Sequence, residues 1–277
     1  MADFVKKQKL HFEKMHGAGN DFILISAWDE DIVLLRHQIS RLCDRRFGIG
    51  ADGLMLLRKP KTNGADICMS YYNSDGGEAE MCGNGARCFA LFARKALGWK
   101  KPTLVIETAA GIVTAGFEGE LVRLSMTRPQ GWRAPFLLTV CGESYSVAFV
   151  NTGVPHAVVR VSDIEKIDVR SLGSAIRHHP EFAPCGTNAN FFNYTPDGTI
   201  VLRTYERGVE DETLACGTGV VATALVAHHY HGGKMPARVR VRGGDILCVA
   251  TSVADEVFLT GPAKFVFAGE VEPDALT

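Results

Sequence analysis

Two cysteines carry most of the chemical information in this chain of 277 residues. Cys82 opens Cys82-Gly83-Asn84-Gly85, and Cys216, 134 residues downstream, opens Cys216-Gly217-Thr218-Gly219. Each motif runs into a small, apolar stretch almost free of charge, residues 86–93 and 220–227, which predicts a buried helix. A Cys-Gly entrance places a thiol beside backbone N–H groups that have no partner inside the helix, a setting that favours a thiolate and binds anions. Two copies point to a pair of thiols facing one another. With a carboxylate-bearing carbon held between them, one thiolate removes its hydrogen and the other thiol delivers one to the opposite face. The stereocentre inverts and the composition is unchanged. Free cysteine has a pKa of about 8.5, lowered by a helix N-terminus or a nearby histidine, so a thiolate–thiol pair exists near neutrality. An amino-acid α-hydrogen is far less acidic than a thiol, so the carbanion must be stabilised by helix N–H groups acting on its carboxylate.

The elements that position the thiols repeat as well. Glu78 and Glu212 lie four residues before the two cysteines, and Asn73 and Arg207 lie nine before, at predicted strand ends. A Gly-x-x-polar turn precedes each cysteine at a similar distance: Gly17-Ala18-Gly19-Asn20 and Gly153-Val154-Pro155-His156, at offsets of 62 and 60 residues from Asn20 and His156. Similarity at so long a period means two homologous domains, not a solenoid.

Other readings of these residues are weaker. A lone cysteine is often just a small buried side chain, but that leaves the duplicated motif unexplained. A metal site would need close Cys or His neighbours, and neither thiol has one. Cys-Gly-Asn-Gly lacks the third glycine and the acidic residue of a dinucleotide fingerprint. The histidines at 178–179 and 228–231 sit at predicted helix ends and read as solvated. The six remaining cysteines, 43, 68, 88, 141, 185 and 248, have no matching partner and read as structural.

The chain is 46% hydrophobic and 22% charged, with a net charge of −1. This fits a globular protein with two ordinary domains and gives no electrostatic reason to expect nucleic acid or a membrane surface as partner. No apolar run approaches the roughly 18 residues needed to span a bilayer. Residues 1–9 lack the apolar core of a signal peptide, so a cytoplasmic location with reduced cysteines is expected.

Periodicity predicts strands at residues 10–15, 22–25, 54–57, 65–73, 103–108, 111–117 and 121–126, with helices over 32–43 and from Cys82 to about 97. Residues 128–132 read as the domain boundary. The plan then repeats: strands at 136–140, 145–150 and up to 161, a helix near 169–178, a loop over 180–190, strands at 191–194 and 199–205, and the second Cys-Gly helix ending near Gly232. Strands at 237–241, 246–250 and 256–260 follow. Residues 263–271 are one strand too many for the second domain and are expected to return to the first.

The segments His16-Gly17-Ala18-Gly19-Asn20-Asp21-Phe22, 72–88 (Tyr-Asn-Ser-Asp-Gly-Gly-Glu-Ala-Glu-Met-Cys-Gly-Asn-Gly-Ala-Arg-Cys) and 205–219 (Tyr-Glu-Arg-Gly-Val-Glu-Asp-Glu-Thr-Leu-Ala-Cys-Gly-Thr-Gly) closely resemble the diaminopimelate epimerase family, and the likeness extends over essentially the whole chain. The resemblance implies an α+β, mixed α/β fold of two homologous domains related by a pseudo-two-fold axis, each a mixed β-barrel around a central helix. The domains would be 1–127 plus 263–277, and 128–262, with the active site in the cleft between them. It implies interconversion of LL- and meso-diaminopimelate on the route to lysine and peptidoglycan, with no PLP or other cofactor and no metal. By matching position, Cys82 and Cys216 are the acid/base thiols, and Gly83, Asn84, Gly217 and Thr218 hold the α-carboxylate. Asn20 and Glu206 hold the reacting amino group, Asn73, Asn188 and Arg207 grip the distal end, and His156 and Glu206 tune the thiols. A distal clamp fixes the near carbon for reaction. The resemblance also implies a homodimer with Phe267 at its interface. Two positions depart from many relatives: Val154 replaces an asparagine, and Gly53 replaces a glutamine, which removes one polar contact at the reacting centre.

A proline racemase or hydroxyproline epimerase of the same superfamily would be similar to Met-Cys-Gly-His-Gly at the first thiol and Ser-Pro before the second. This chain has Asn84 and Leu214-Ala215 instead. A thiol redox sensor and a non-enzymatic amino-acid-binding protein are the readings from other classes.

Overall fold

The structure, a computed structural model, describes residues 9–79 and 81–272. The segment read for a signal peptide, apart from Lys9, lies outside the described residues, as do Glu80 and residues 273–277. The chain divides into two compact units, one of residues 1–124 with 262–277 and the other of residues 125–261.

In the first unit the chain forms β1 (Leu10–Gly17), β2 (Asn20–Ser26), α1 (Arg36–Cys43), β3 (Gly53–Arg58), β4 (Ile67–Asn73), β5 (Glu78–Ala79), α2 (Gly83–Ala96), β6 (Thr103–Thr108), β7 (Gly111–Glu118) and β8 (Leu121–Met126). The second unit begins within β8. It continues with β9 (Gln130–Val140), β10 (Glu143–Asn151), β11 (Pro155–Arg160), α3 (Val169–Arg177), β12 (Asn188–Tyr194), β13 (Ile200–Glu206), β14 (Asp211–Thr213), α4 (Gly217–His231), β15 (Ala237–Arg240), β16 (Ile246–Thr251) and β17 (Val257–Pro262). The last strand, β18 (Lys264–Val271), pairs antiparallel with β1.

Strand pairing shows the same plan twice. In the first unit the order is β18-β1-β2-β3-β4-β6-β7-β8, with β5 beside β4. In the second it is β9-β10-β11-β12-β13-β15-β16-β17, with β14 beside β13. The parallel pairs also correspond: β2 with β3 and β4 with β6 in one unit, β11 with β12 and β13 with β15 in the other. Thus β18 occupies the place in the first sheet that β9 occupies in the second.

The central parallel strands are buried on both faces, as strands covered by helices on both sides must be. In the first unit Ile23, Ile25, Leu54 and Leu56 pack with Ile39 and Leu42 of α1. The alternate residues Phe22 and Met55 face α2 and close on Gly85. In the second unit Ala157, Val159, Ala189 and Phe191 pack with Leu172 and Ile176 of α3. By the two-residue period of a strand, His156, Val158, Asn188 and Asn190 point to the other side, where β11 and β12 meet α4. Helix α4 is buried at Gly217 and at every position from Gly219 to Ala227, as its uncharged sequence predicts.

Several segments differ from the sequence reading, which has no counterpart of the short strands β5 and β14. Helix α1 begins at Arg36, not at residue 32. Arg58 explains this: it binds the Asp31 carboxylate at 3.0 Å and the Ile32 carbonyl at 2.5 Å, holding both outside a helix. The helix is capped instead by Gln38, whose Oε1 accepts the Leu35 N–H at 2.9 Å. Residues 130–132, read as part of the domain boundary, already belong to β9, and residues 188–190, read as loop, begin β12.

Candidate active site

Each motif cysteine is the N-cap of its helix. Cys82 has φ −135° and ψ 121°, and Cys216 has φ −117° and ψ 109°, extended conformations that turn the chain into α2 and α4. The Gly85 N–H donates to Cys82 Sγ at 3.5 Å, a contact that strengthens when the sulfur carries negative charge. Cys216 Sγ lies 3.5 Å from the Thr218 hydroxyl. Gly83 and Gly217 are the first helical residues, so the anion-binding end of each helix lies beside its thiol.

The second glycine of each motif is required by close packing. A Cβ on Gly85 would collide with Met55 Cε, and one on Gly219 would stand 2.5 Å from Asn190 Oδ1 and 3.4 Å from Cys216 Sγ. The repeated Gly-x-Gly therefore lets polar or bulky residues of the surrounding sheet reach the first turn, next to the sulfur.

In the first unit the structure brings Asn20, Cys82, Gly83 and Asn84 together. Asn84, fully buried, donates from Nδ2 to Asn20 Oδ1 at 2.7 Å, and its own Oδ1 accepts from Arg87 Nη2 at 2.9 Å. Asn20 Nδ2 in turn donates to Asp52 Oδ2 at 2.9 Å. Behind Asp52 stand Arg45, Asp21 and Lys14; Lys14 also donates to the Gly50 carbonyl. Burial raises the Asp21 pKa, but hydrogen bonds and charge from Arg45 and Lys14 prevail and hold the carboxyl below its usual range. Asn20 and Asn84 are thus fixed before any ligand arrives. Asn73 is exposed at the end of β4, directly across from Gly53.

The space left by the missing side chain at Gly53 is filled. A Cβ there would lie 2.6 Å from the Tyr72 carbonyl and 2.7 Å from Tyr71 Cε2, with the Tyr71 hydroxyl at 3.4 Å. The buried Tyr71 ring, edge-on to Phe22 at 6.2 Å, puts its phenol where a longer residue 53 would extend.

In the second unit His156 and Asn188 are register partners at the start of β11 and β12. Asn188 uses its amide structurally: Nδ2 donates to the Pro155 carbonyl at 2.9 Å, and Oδ1 accepts the Arg207 N–H at 2.8 Å. It therefore sets the start of Arg207, whose guanidinium reaches the Cys185 carbonyl at 3.1 Å. Glu206 ends β13 immediately before it. Thr218 is held through its carbonyl by the buried Thr152 hydroxyl at 2.9 Å. His156 is fully buried. Burial first, then the nearby Arg207 charge, push its pKa down to about 3 against the opposing Asn190 hydrogen bond, so the imidazole is neutral at physiological pH.

Sequence reasoning missed Arg87, Tyr71, Asn190, Thr204 and Thr152. Two of these left a signal: Arg87 is the one charge inside residues 86–93, and Asn188-Ala189-Asn190 places two amides on one strand face. The glutamates four residues before each cysteine mark the short strands β5 and β14, and Glu212 forms a two-point ion pair with Arg203 at 2.7 and 2.8 Å. Among the described residues, no three His, Cys, Asp or Glu side chains gather to hold a metal ion.

The architecture is the two-domain mixed α/β fold seen in the structure of a probable proline racemase from Agrobacterium radiobacter K84, similar with a TM-score of 0.69 and 19% identity over 96% of this chain and 95% of that one. Sequence narrows the class. The profile of the diaminopimelate epimerase family matches residues 12–130 and 148–266, two segments that each contain one Cys-Gly helix. The diaminopimelate epimerase of Aquifex aeolicus is 43% identical over 96% of this chain and 99% of its own length; that of Chlorobaculum tepidum is 42% identical over 93% and 99%. This chain belongs to the diaminopimelate epimerase family.

Proposed function

We propose that this chain, an isomerase acting on amino acids, interconverts LL- and meso-diaminopimelate with Cys82 and Cys216 as the two acid/base groups. The observation that carries the proposal is the duplicated thiol, each the N-cap of a buried helix and each followed by glycine as the first helical residue. A thiolate removes the α-proton, and the electron pair left on carbon is delocalised into the carboxylate. Backbone N–H groups at Gly83-Asn84 and Gly217-Thr218 stabilise that charge as it grows. The second thiol returns a proton to the opposite face, so the two sulfurs exchange protonation states over one turnover. Asn20 and Glu206 hold the reacting ammonium, and Asn73, Asn188 and Arg207 define the distal end. Asn188 acts there chiefly by fixing the Arg207 backbone.

The product feeds lysine and peptidoglycan precursor synthesis in the cytoplasm. The assembly is a homodimer in this reading: Phe267 is 49% exposed, beside the exposed Phe265 and Val266 on β18, which suits an interface with a second copy.

The test is epimerisation in D₂O. Early product should carry deuterium at the inverted carbon while recovered substrate carries almost none, because the proton-donating thiol has exchanged with solvent. Cys216→Ala should lower inversion at least ~10²-fold. Early product rich in protium, or a Cys216→Ala enzyme working at near-normal rate, would contradict the assignment.

A further inference from the structure

Three buried side chains stand behind the Cys216 helix. Asn190 donates from Nδ2 to the Ala157 carbonyl at 3.0 Å and lies 3.1 Å from His156 Nδ1; its Oδ1 is 3.1 Å from the Thr204 hydroxyl. All three residues are essentially inaccessible to solvent. The donors and acceptors can be assigned without ambiguity. The Ala157 carbonyl only accepts, so the Asn190 atom facing it is the amide nitrogen. That nitrogen has no lone pair to offer, so His156 Nδ1 must be the acceptor. The ring is neutral, and its single proton is therefore on Nε2. Thr204 fixes the amide from the other end by donating to its oxygen.

Nε2 is buried and has no hydrogen-bond partner among the described residues. A buried N–H left without an acceptor is costly, so the arrangement is complete only when one is supplied. Its setting indicates what that acceptor is. His156 faces the α4 side at the mouth of β11, and Asn190 Oδ1 would be 2.5 Å from a Cβ at Gly219, in the same turn as Cys216 Sγ. The charged group acting on the ring is Arg207.

We propose that Asn190, backed by Thr204, is a positioning residue that locks His156 as the Nε2–H tautomer, so that the imidazole offers one fixed, uncharged hydrogen bond to an anion in the half-site of Cys216. This rests on His156 belonging to the site and deepens that reading. A neutral donor supports developing charge without adding a cation that would oppose proton return, and it prevents Nε2 from competing with the thiols as a base.

The experiment is nitrogen NMR on ¹⁵N-histidine-labelled protein, with kinetics on LL-diaminopimelate run in parallel. The expected wild-type spectrum shows His156 protonated on Nε2 alone from pH 8 to pH 5. Asn190→Asp should reverse the tautomer, because a carboxylate at that place accepts from Nδ1–H. Asn190→Leu should release it, and either change should lower kcat about 10-fold or more with a smaller change in KM. Thr204→Val, nearly isosteric, should fold normally and show partial loss of the Nε2–H form if the other variants prove unstable. A wild-type His156 carrying its proton on Nδ1 overturns the proposal. So do variants that alter the tautomer but leave kcat unchanged, and variants that alter neither. An enzyme inactive on diaminopimelate would count against the substrate assignment, while the spectrum still decides the tautomer.

Discussion

At the scale of single residues, His156 makes folding sensitive to pH. An unfolded histidine titrates near 6.5, and in the folded chain His156 does so at about 3. Between these values the unfolded state binds more protons, so stability falls as pH falls from about 6.5 to about 3, by at most ~1.4 kcal/mol per unit. Denaturant unfolding at pH 7, 6 and 5 should show this slope, and His156→Gln should remove its share. His231, also pushed down by burial, leaves a residual slope of the same sign. The depressed Asp21 contributes separately: its stabilisation is present above about pH 4 and is lost only on further acidification. An identical slope in the His156→Gln protein above pH 5 would show that the imidazole is not held neutral by the fold. The cysteines divide by surroundings. Burial pushes Cys43 and Cys88 up to about 12, which makes them poor nucleophiles.

At the scale of elements, Gly53 and Tyr71 form one choice made on two strands. No positive φ requires glycine at 53; the neighbouring ring and carbonyl do. Gly53→Gln alone should therefore cost about 1–3 kcal/mol by overpacking and reduce activity. Gly53→Gln with Tyr71→Ile should recover the part of the loss that the ring causes and leave the part due to the Tyr72 carbonyl, which thermal unfolding of the two proteins would measure. Equal losses in both would mean that Tyr71 is not the obstacle. This pairing shows what the sequence could and could not reveal. The missing glutamine was legible at once, because it is a local departure in a recognisable loop; the ring filling its place was not, because Tyr71 arrives from an antiparallel neighbour. The same holds for α1. The spacing of residues 32–43 predicts a helix from residue 32, and the contact that prevents it comes from Arg58, 27 residues beyond Asp31. The Cys-Gly helices were legible because their caps, glycines and apolar runs are all local, whereas the Thr204–Asn190–His156 relay joins three strands and left only the Asn-x-Asn spacing as a trace.

At the scale of the whole molecule, the duplicated pairing order accounts for the repeat that the sequence shows only at scattered positions. Strand β18 is where the copies differ in how they are built, since its counterpart β9 precedes its sheet in the chain. Phe267 lies opposite Lys14 and packs edge-on to Phe12 at 5.8 Å while remaining half exposed. In the proposed homodimer, Phe267→Glu should shift sedimentation from dimer to monomer with the fold retained. An unchanged dimer would remove this residue from the interface.

The position of β18 also bears on how the protein is made. A chain leaves the ribosome from its N-terminus, and domains generally fold in that order. Here β1 (residues 10–17) is made long before its partner β18 (residues 264–271), and the hydrogen-bonding edge that β18 will cover stays open until then. The second unit has all its strands before β18 is synthesised. The half begun first is the half finished last, and a nascent chain stalled before residue 264 exposes an unpaired edge of the kind on which strands from other chains assemble.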